Sequence, residues 1–133
     1  MKPLKGTRLQ RVFRQWLESE DFRVHMVQQS RILCIAPNGH RRWVNRGEDI
    51  FGVFDYVAIA EDGSVWAGNT TTNAALSAHR KKIEAATPPS GWPSGWRISI
   101  VVEDESRFIV YDLVDSSWAP PLAYPYSRKG LKR

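Results

Sequence analysis

The chain has 133 residues, 42% of them hydrophobic, enough to bury one core and too few for two ordinary domains. A single cysteine, Cys34, excludes an internal disulfide, and His25, His40 and His79 lack the spacing of a zinc site. The net charge of +5 is lopsided: residues 1–46 hold ten Lys or Arg against three acids while the remainder holds nine against eleven, which points to a polyanion, DNA first, as partner.

From Thr7 to Ser19 the apolar residues Leu9, Val12, Phe13, Trp16 and Leu17 recur at helical spacing, with Arg8, Arg11 and Arg14 mostly elsewhere on the wheel. Thr7 is the expected N-cap. An extended stretch with Val24, Met26 and Val27 follows, then a short strand over 32–36. Pro37-Asn38-Gly39 is a turn signal, which places His40-Arg41-Arg42-Trp43 on a loop or strand start.

Asp49 to Thr72 is the most informative stretch. Phe54 to Ala60 is an apolar run broken only by Asp55, Glu61-Asp62-Gly63-Ser64 supplies turn residues, and Val65-Trp66-Ala67 resumes the strand pattern. A carboxylate in such a run needs a cation or hydrogen-bond donors, because an unpaired buried charge costs several kcal/mol. Backbone amides alone would satisfy it as well.

Residues 73–86 have a helical pattern, with Ala75, Leu76, His79 and Ile83 on one side, Arg80-Lys81-Lys82 exposed, and Thr72 or Asn73 as cap. The tandem Pro89-Ser90-Gly91-Trp92 and Pro93-Ser94-Gly95-Trp96 excludes regular structure. Its indoles would either stack on bases or pin the loop to the body. Residues 98–102 and 108–114 are strands of a hairpin closed by Glu103-Asp104-Glu105-Ser106. The Pro- and Tyr-rich segment 120–133, ending in Arg128, Lys129, Lys132 and Arg133, should be disordered on its own. No run approaches the roughly 20 apolar residues that span a bilayer. Residues 1–5 lack the apolar segment of a signal peptide, so a cytoplasmic protein without a membrane partner is expected.

The order helix, strands, helix, strands, with an Asp on one central strand and a polar tripeptide on the next, resembles the PD-(D/E)xK nuclease superfamily. Lys5-Gly6-Thr7-Arg8-Leu9-Gln10-Arg11 is similar to the K-G-x-x-x-E-R opening of archaeal Holliday-junction resolvases, with Gln10 where that family has a helix Glu. Asp55 matches the superfamily's Asp, and Asn69-Thr70-Thr71 stands at the (D/E)-x-K position. Residues 73–83 look like the basic helix that follows the Q-x-T variant in small phage and prophage members. The resemblance covers residues 5–114. It implies an α/β protein with a restriction-endonuclease-like αβββαββ core, a mixed central sheet flanked by helices. Residues 1–119 would then form one nuclease-like domain and 120–133 a basic tail. It further implies Mg²⁺ or Mn²⁺ as cofactor, DNA as partner, and a homodimer or larger assembly.

The chain departs from that pattern in its charges. In this chemistry carboxylates hold the metal and a lysine positions the nucleophile. Here Asp55 keeps its charge, Gln10 and Asn69 offer only carbonyl oxygens, and Thr71 cannot replace an ammonium. Asp49 and Glu48 are substitute ligands if the preceding turn folds back, and Lys81 or Lys82 is the substitute cation. Three functions stay open. One is a divergent metal-dependent DNA nuclease, with catalytic residues drawn from Asp55, Asn69, Thr71, Gln10, Lys81 and Lys82 and metal ligands from Asp55, Asp49 and Asn69. Another is a nuclease fold kept for DNA binding through Arg8, Arg11, Arg41, Arg42, Trp43, Arg80, Lys81 and Lys82. The third is an assembly subunit, phage-derived in one version, that docks through Trp92, Trp96, Trp118 and the Tyr-rich tail.

Overall fold

The structure, a computed structural model, describes residues 2–27, 30–46 and 49–127, with the backbone alone for 30–34 and 43–46. The chain begins with α1 (Gly6–Ser19), whose fully buried Leu9, Phe13 and Leu17 stand four residues apart and make one apolar stripe. The cap differs from expectation: Lys5, extended and making no side-chain capping bond, precedes the helix, Gly6 enters it at φ 60°, and Thr7 already lies inside it. Asp21, in the left-handed region at φ 65°, ends it and turns the chain into β1 (Arg23–Met26).

Strands β2 (Ser30–Ile35) and β3 (Arg41–Arg46) pair only with each other. The Pro37-Asn38-Gly39 turn closes this hairpin, Asn38 accepting the His40 amide at 2.9 Å and Gly39 sitting at φ 83°. The strand expected over 32–36 therefore leaves the main sheet. That sheet is seven-stranded and mixed, in the order β1, β4 (Tyr56–Ile59), β5 (Val65–Thr70), β6 (Trp96–Asp104), β7 (Arg107–Val114), β8 (Ser117–Trp118), with β9 (Leu122–Pro125) also on β7. β1 and β5 each pair antiparallel with β4 between them. β5 and β6 run parallel, joined by a single 3₁₀ turn (Asn73–Ala75) and α2 (Leu76–Ala86), and β7 to β9 return antiparallel. Neither Thr72 nor Ala75 makes a side-chain capping bond at the start of this helical segment.

Each face of the sheet carries one helix. On one, Phe13 meets Tyr56, Trp66 and Phe108 edge-on at centroid distances of 5.1, 5.8 and 5.2 Å. On the other, Ile83 of α2 packs with Val53, Phe54, Ala67, Ile98 and Ile100. The α1 face also buries a polar chain. The Trp66 indole donates to Ser99 Oγ at 2.8 Å, Ser99 donates to Asp112, and Arg97 grips Asp112 with two bonds of 2.8 and 3.0 Å while lying 4.2 Å over the Trp66 ring. Such a satisfied network ties β5, β6 and β7 in one register.

The segment expected as a disordered tail joins the fold as far as it is described. β9 extends the edge of β7, the Tyr124 hydroxyl accepts from Arg97 at 3.0 Å, and Tyr126 stacks on Phe108 at 4.2 Å and donates to Glu103 at 3.0 Å. The basic residues 128, 129, 132 and 133 lie outside the described residues.

At Gly68 the strands are so close that an added Cβ would stand 1.7 Å from the Ser99 carbonyl oxygen. Gly68→Ala should therefore force β5 and β6 apart, costing about 3 kcal/mol or more and lowering the thermal midpoint by roughly 10 °C. Thermal unfolding followed by circular dichroism checks this, and a midpoint unmoved by the substitution would refute the close approach.

Candidate functional site

Asp55 precedes β4 by one residue, and its backbone is fixed on both sides. Its amide donates to the Gly68 carbonyl and its carbonyl accepts from the Val27 amide, both at 2.9 Å. The side chain is 8% exposed, and both carboxylate oxygens lie 3.3 Å from the Thr70 amide, the strand-end donor that β5 supplies. Gln10 of α1 lies near enough to the same carboxylate to pull its pKa down. Burial pushes the carboxyl up to about 7; Asp49 adds charge repulsion, while the Thr70 amide, Gln10 and Lys82 pull the other way.

Asn69 follows on β5. Its Nδ2 donates to the Val53 carbonyl at 2.9 Å, whereas its Oδ1 is buried without a hydrogen-bond partner among the described residues. A buried acceptor left unpaired costs on the order of 1–3 kcal/mol, so this fully buried oxygen is a strained feature of the site. Thr70 and Thr71 are buried, and the Thr71 amide donates to the Val101 carbonyl at 2.9 Å.

The turn between Asp49 and Phe54 does fold back. Asp49 accepts from Lys82 of α2 at 2.6 Å, and both charges are felt by Asp55. Lys81 is exposed and does not join these contacts. One helical turn before Lys82, His79 has a buried Nδ1 with no partner among the described residues. Burial first, and Lys82 second, hold its imidazole below the usual range. Sequence reasoning placed His79 only on the apolar side of the helix. The readable signal was a histidine in an apolar stripe three residues before a lysine.

The expected DNA contacts scatter. Arg11 lines a cleft of about 500 Å³ with Thr7, Gln10, Arg14, Met26 and Val27, so it borders the site through Gln10, and Arg8 is exposed on the same helix. Arg41 and Arg42 are exposed on the separate hairpin. Trp43 lies on β3 with its side chain outside the description, and Glu48 is outside the described residues. Arg80, expected to be exposed, is half-buried over the Tyr111 and Trp118 rings at 5.0 and 5.7 Å.

Among the described residues no group of three His, Cys, Asp or Glu side chains could hold a metal ion, and no helix is long and apolar enough to cross a membrane. The oxygens present (the Asp55 carboxylate, the unpaired Asn69 Oδ1, and Asp49 across Lys82) are hard donors of the kind Mg²⁺ and Mn²⁺ take. Compared with family models, curated proteins and solved structures, the chain matches none.

Because Asp55 holds its proton to about pH 7 when folded and to about 3.8 when unfolded, the folded state binds more protons between those values. Stability should therefore fall as pH rises from about 4 to about 7, by roughly 4 kcal/mol in total. Asp55→Asn should remove this slope and be the more stable protein at pH 8. Urea unfolding of both proteins at pH 5 and pH 8 checks the expectation, and equal slopes would exclude a buried, protonated Asp55.

Proposed function

We propose that the protein is a divergent metal-dependent nuclease of the PD-(D/E)xK kind, acting on the phosphodiester bonds of DNA. The observation that carries this reading is the meeting of Asp55 with Gln10 of the first helix and with the β5 tripeptide Asn69-Thr70-Thr71, the three places the sequence resemblance singles out. Asp55, Asn69 Oδ1 and Asp49 would hold Mg²⁺ or Mn²⁺, and the bound ion would activate water and neutralise charge growing on phosphate.

The chain's own residues account for the rest. Gln10 orients the Asp55 carboxylate, and the Thr70 amide fixes its position. Lys82, whose ammonium is paired with Asp49, would supply the positive charge that the tripeptide lacks. Neutral His79, beside that pair, is able to accept or donate a proton. Arg11, on the cleft past Gln10, meets incoming phosphate.

A cation favours ionised Asp55, so its binding releases a proton below pH 7. Affinity for Mn²⁺ should rise close to tenfold per pH unit up to about 7 and then level off. Calorimetric titration in two buffers of different ionisation enthalpy measures the released proton.

The test of function is a supercoiled plasmid or branched DNA incubated with Mg²⁺ or Mn²⁺. Nicking is expected, falling at least a hundredfold in Asp55→Asn and tenfold or more in Lys82→Ala. Nicking unchanged by Asp55→Asn would overturn the assignment. The pairing of Asp49 with Lys82 favours a second reading, DNA binding without catalysis. Salt-sensitive binding with no nicking in either metal would select it.

A further inference from the structure

Beside the candidate site stands a row of aromatic rings, of which Trp92 and Trp96 are half-buried against the α2-side core and Phe51 is exposed. Phe51, Trp96 and Trp92 follow one another at centroid distances of 5.9 and 6.3 Å, the two indoles only 7° from parallel. The row edges an open cleft of about 520 Å³ that Pro88, Ser90 and Pro93 complete. Trp92 is anchored: its ring packs on Phe54 at 4.9 Å and its indole nitrogen donates to Thr87 at 3.0 Å. The repeated Pro-Ser-Gly-Trp sets the second indole beside it, since Gly91 and Gly95, at φ 80° and 87°, give both turns a conformation closed to most side chains.

Phe51 is the outlier. It is 66% exposed and sits at φ 53°, so the chain accepts both an exposed apolar ring and a left-handed backbone at a bulky residue. It also lies two residues past Asp49, which reaches Lys82. The aromatic row is thus continuous along the chain with the charged pair of the candidate site, whose Lys82 is exposed on α2 next to an exposed Lys81 in the sequence.

We infer that Phe51, Trp96 and Trp92 form a stacking platform for unpaired bases of a DNA strand whose phosphates lie along Lys81 and Lys82. The inference rests on the reading of the Asp55 site as one that takes DNA, and it narrows the substrate to DNA carrying unpaired nucleotides. Flat aromatic faces accept any base, and neighbouring lysines supply the phosphate contacts. The positive charge on α2 favours a nucleotide strand over a proline-rich peptide as the occupant.

Tryptophan fluorescence of the full chain, at low salt in EDTA, separates this from the catalytic reading because no cleavage is involved. A 12-nucleotide thymidine strand should quench the emission, and an abasic strand of equal length and charge should bind at least tenfold more weakly. Phe51→Ser, at an exposed position, and Trp96→Ala should each weaken binding of the thymidine strand by roughly five- to a hundredfold and leave blunt duplex binding unchanged. Equal affinity for the thymidine and abasic strands would overturn the platform, as would quenching by a proline-rich peptide and not by DNA. Base-dependent binding without metal-dependent nicking would defeat the nuclease reading alone. Nicking without any base dependence would defeat the platform alone.

Discussion

The close approach of β5 to β6 at Gly68 is the constraint on which the site depends. With Ser99 directly across the parallel register, no side chain fits between the strands, and β5 is held in one position from Val65 to Thr70. That position brings the Thr70 amide under the Asp55 carboxylate and places the Asn69 amide at the Val53 carbonyl. Were β5 to shift by one residue, every side chain on it would change faces. Trp66 would leave the aromatic cluster around Phe13, and Asn69 would turn toward α1. The Trp66-Ser99-Asp112-Arg97 chain reinforces this register from the α1 face, and it reaches β9 through Tyr124.

Because side chains alternate along β5, the site draws on both layers of the fold. Trp66 belongs to the cluster under α1 and Ala67 to the cluster over α2. At the end of the strand this alternation lets one carboxylate receive Gln10 from α1 while feeling Lys82 from α2. Neither helix alone could supply both. The Asp49 turn then closes the α2 side, since its carboxylate takes the Lys82 ammonium.

Much of this was legible in the residues. The apolar stripe of α1, the turn at Pro37-Asn38-Gly39, and the strands on either side of Asp62-Gly63 follow from local periodicity and turn chemistry, which act over a few residues. Asp55 stood out because a charge inside an apolar run demands a partner. Two kinds of feature stayed hidden. The hairpin of β2 and β3 has the same strand pattern as the main sheet, and pairing partners are a long-range property that alternation does not encode. Residues 122–126 look disordered by composition, but Tyr124 and Tyr126 find Arg97, Glu103 and the Phe108 ring, contacts set by distant strands. Arg80 misled for the same reason: a basic triplet on a helix looks uniformly exposed until the rings of Tyr111 and Trp118 cover one of its members.

The energetic logic of the site turns on how Asp55 keeps its charge. Burial raises its pKa to about 7, and the Thr70 amide, Gln10 and Lys82 together do not restore it to the ordinary range. A carboxyl group serving only the fold would be replaced at little loss by Asn, which accepts the same bonds and carries no desolvation penalty. A divalent cation would change that balance, because it favours the ionised form and takes up the spare oxygen of Asn69. Lys82 occupies Asp49 and lowers the charge available to such an ion, so a cation entering here competes with an ammonium for one carboxylate while gaining another. This competition bears directly on the choice between catalysis and binding alone. If an ion wins, Lys82 is released and its ammonium is free for another anion; if the ammonium wins, the Asp49–Lys82 pair stays closed and Asp55 keeps its raised pKa.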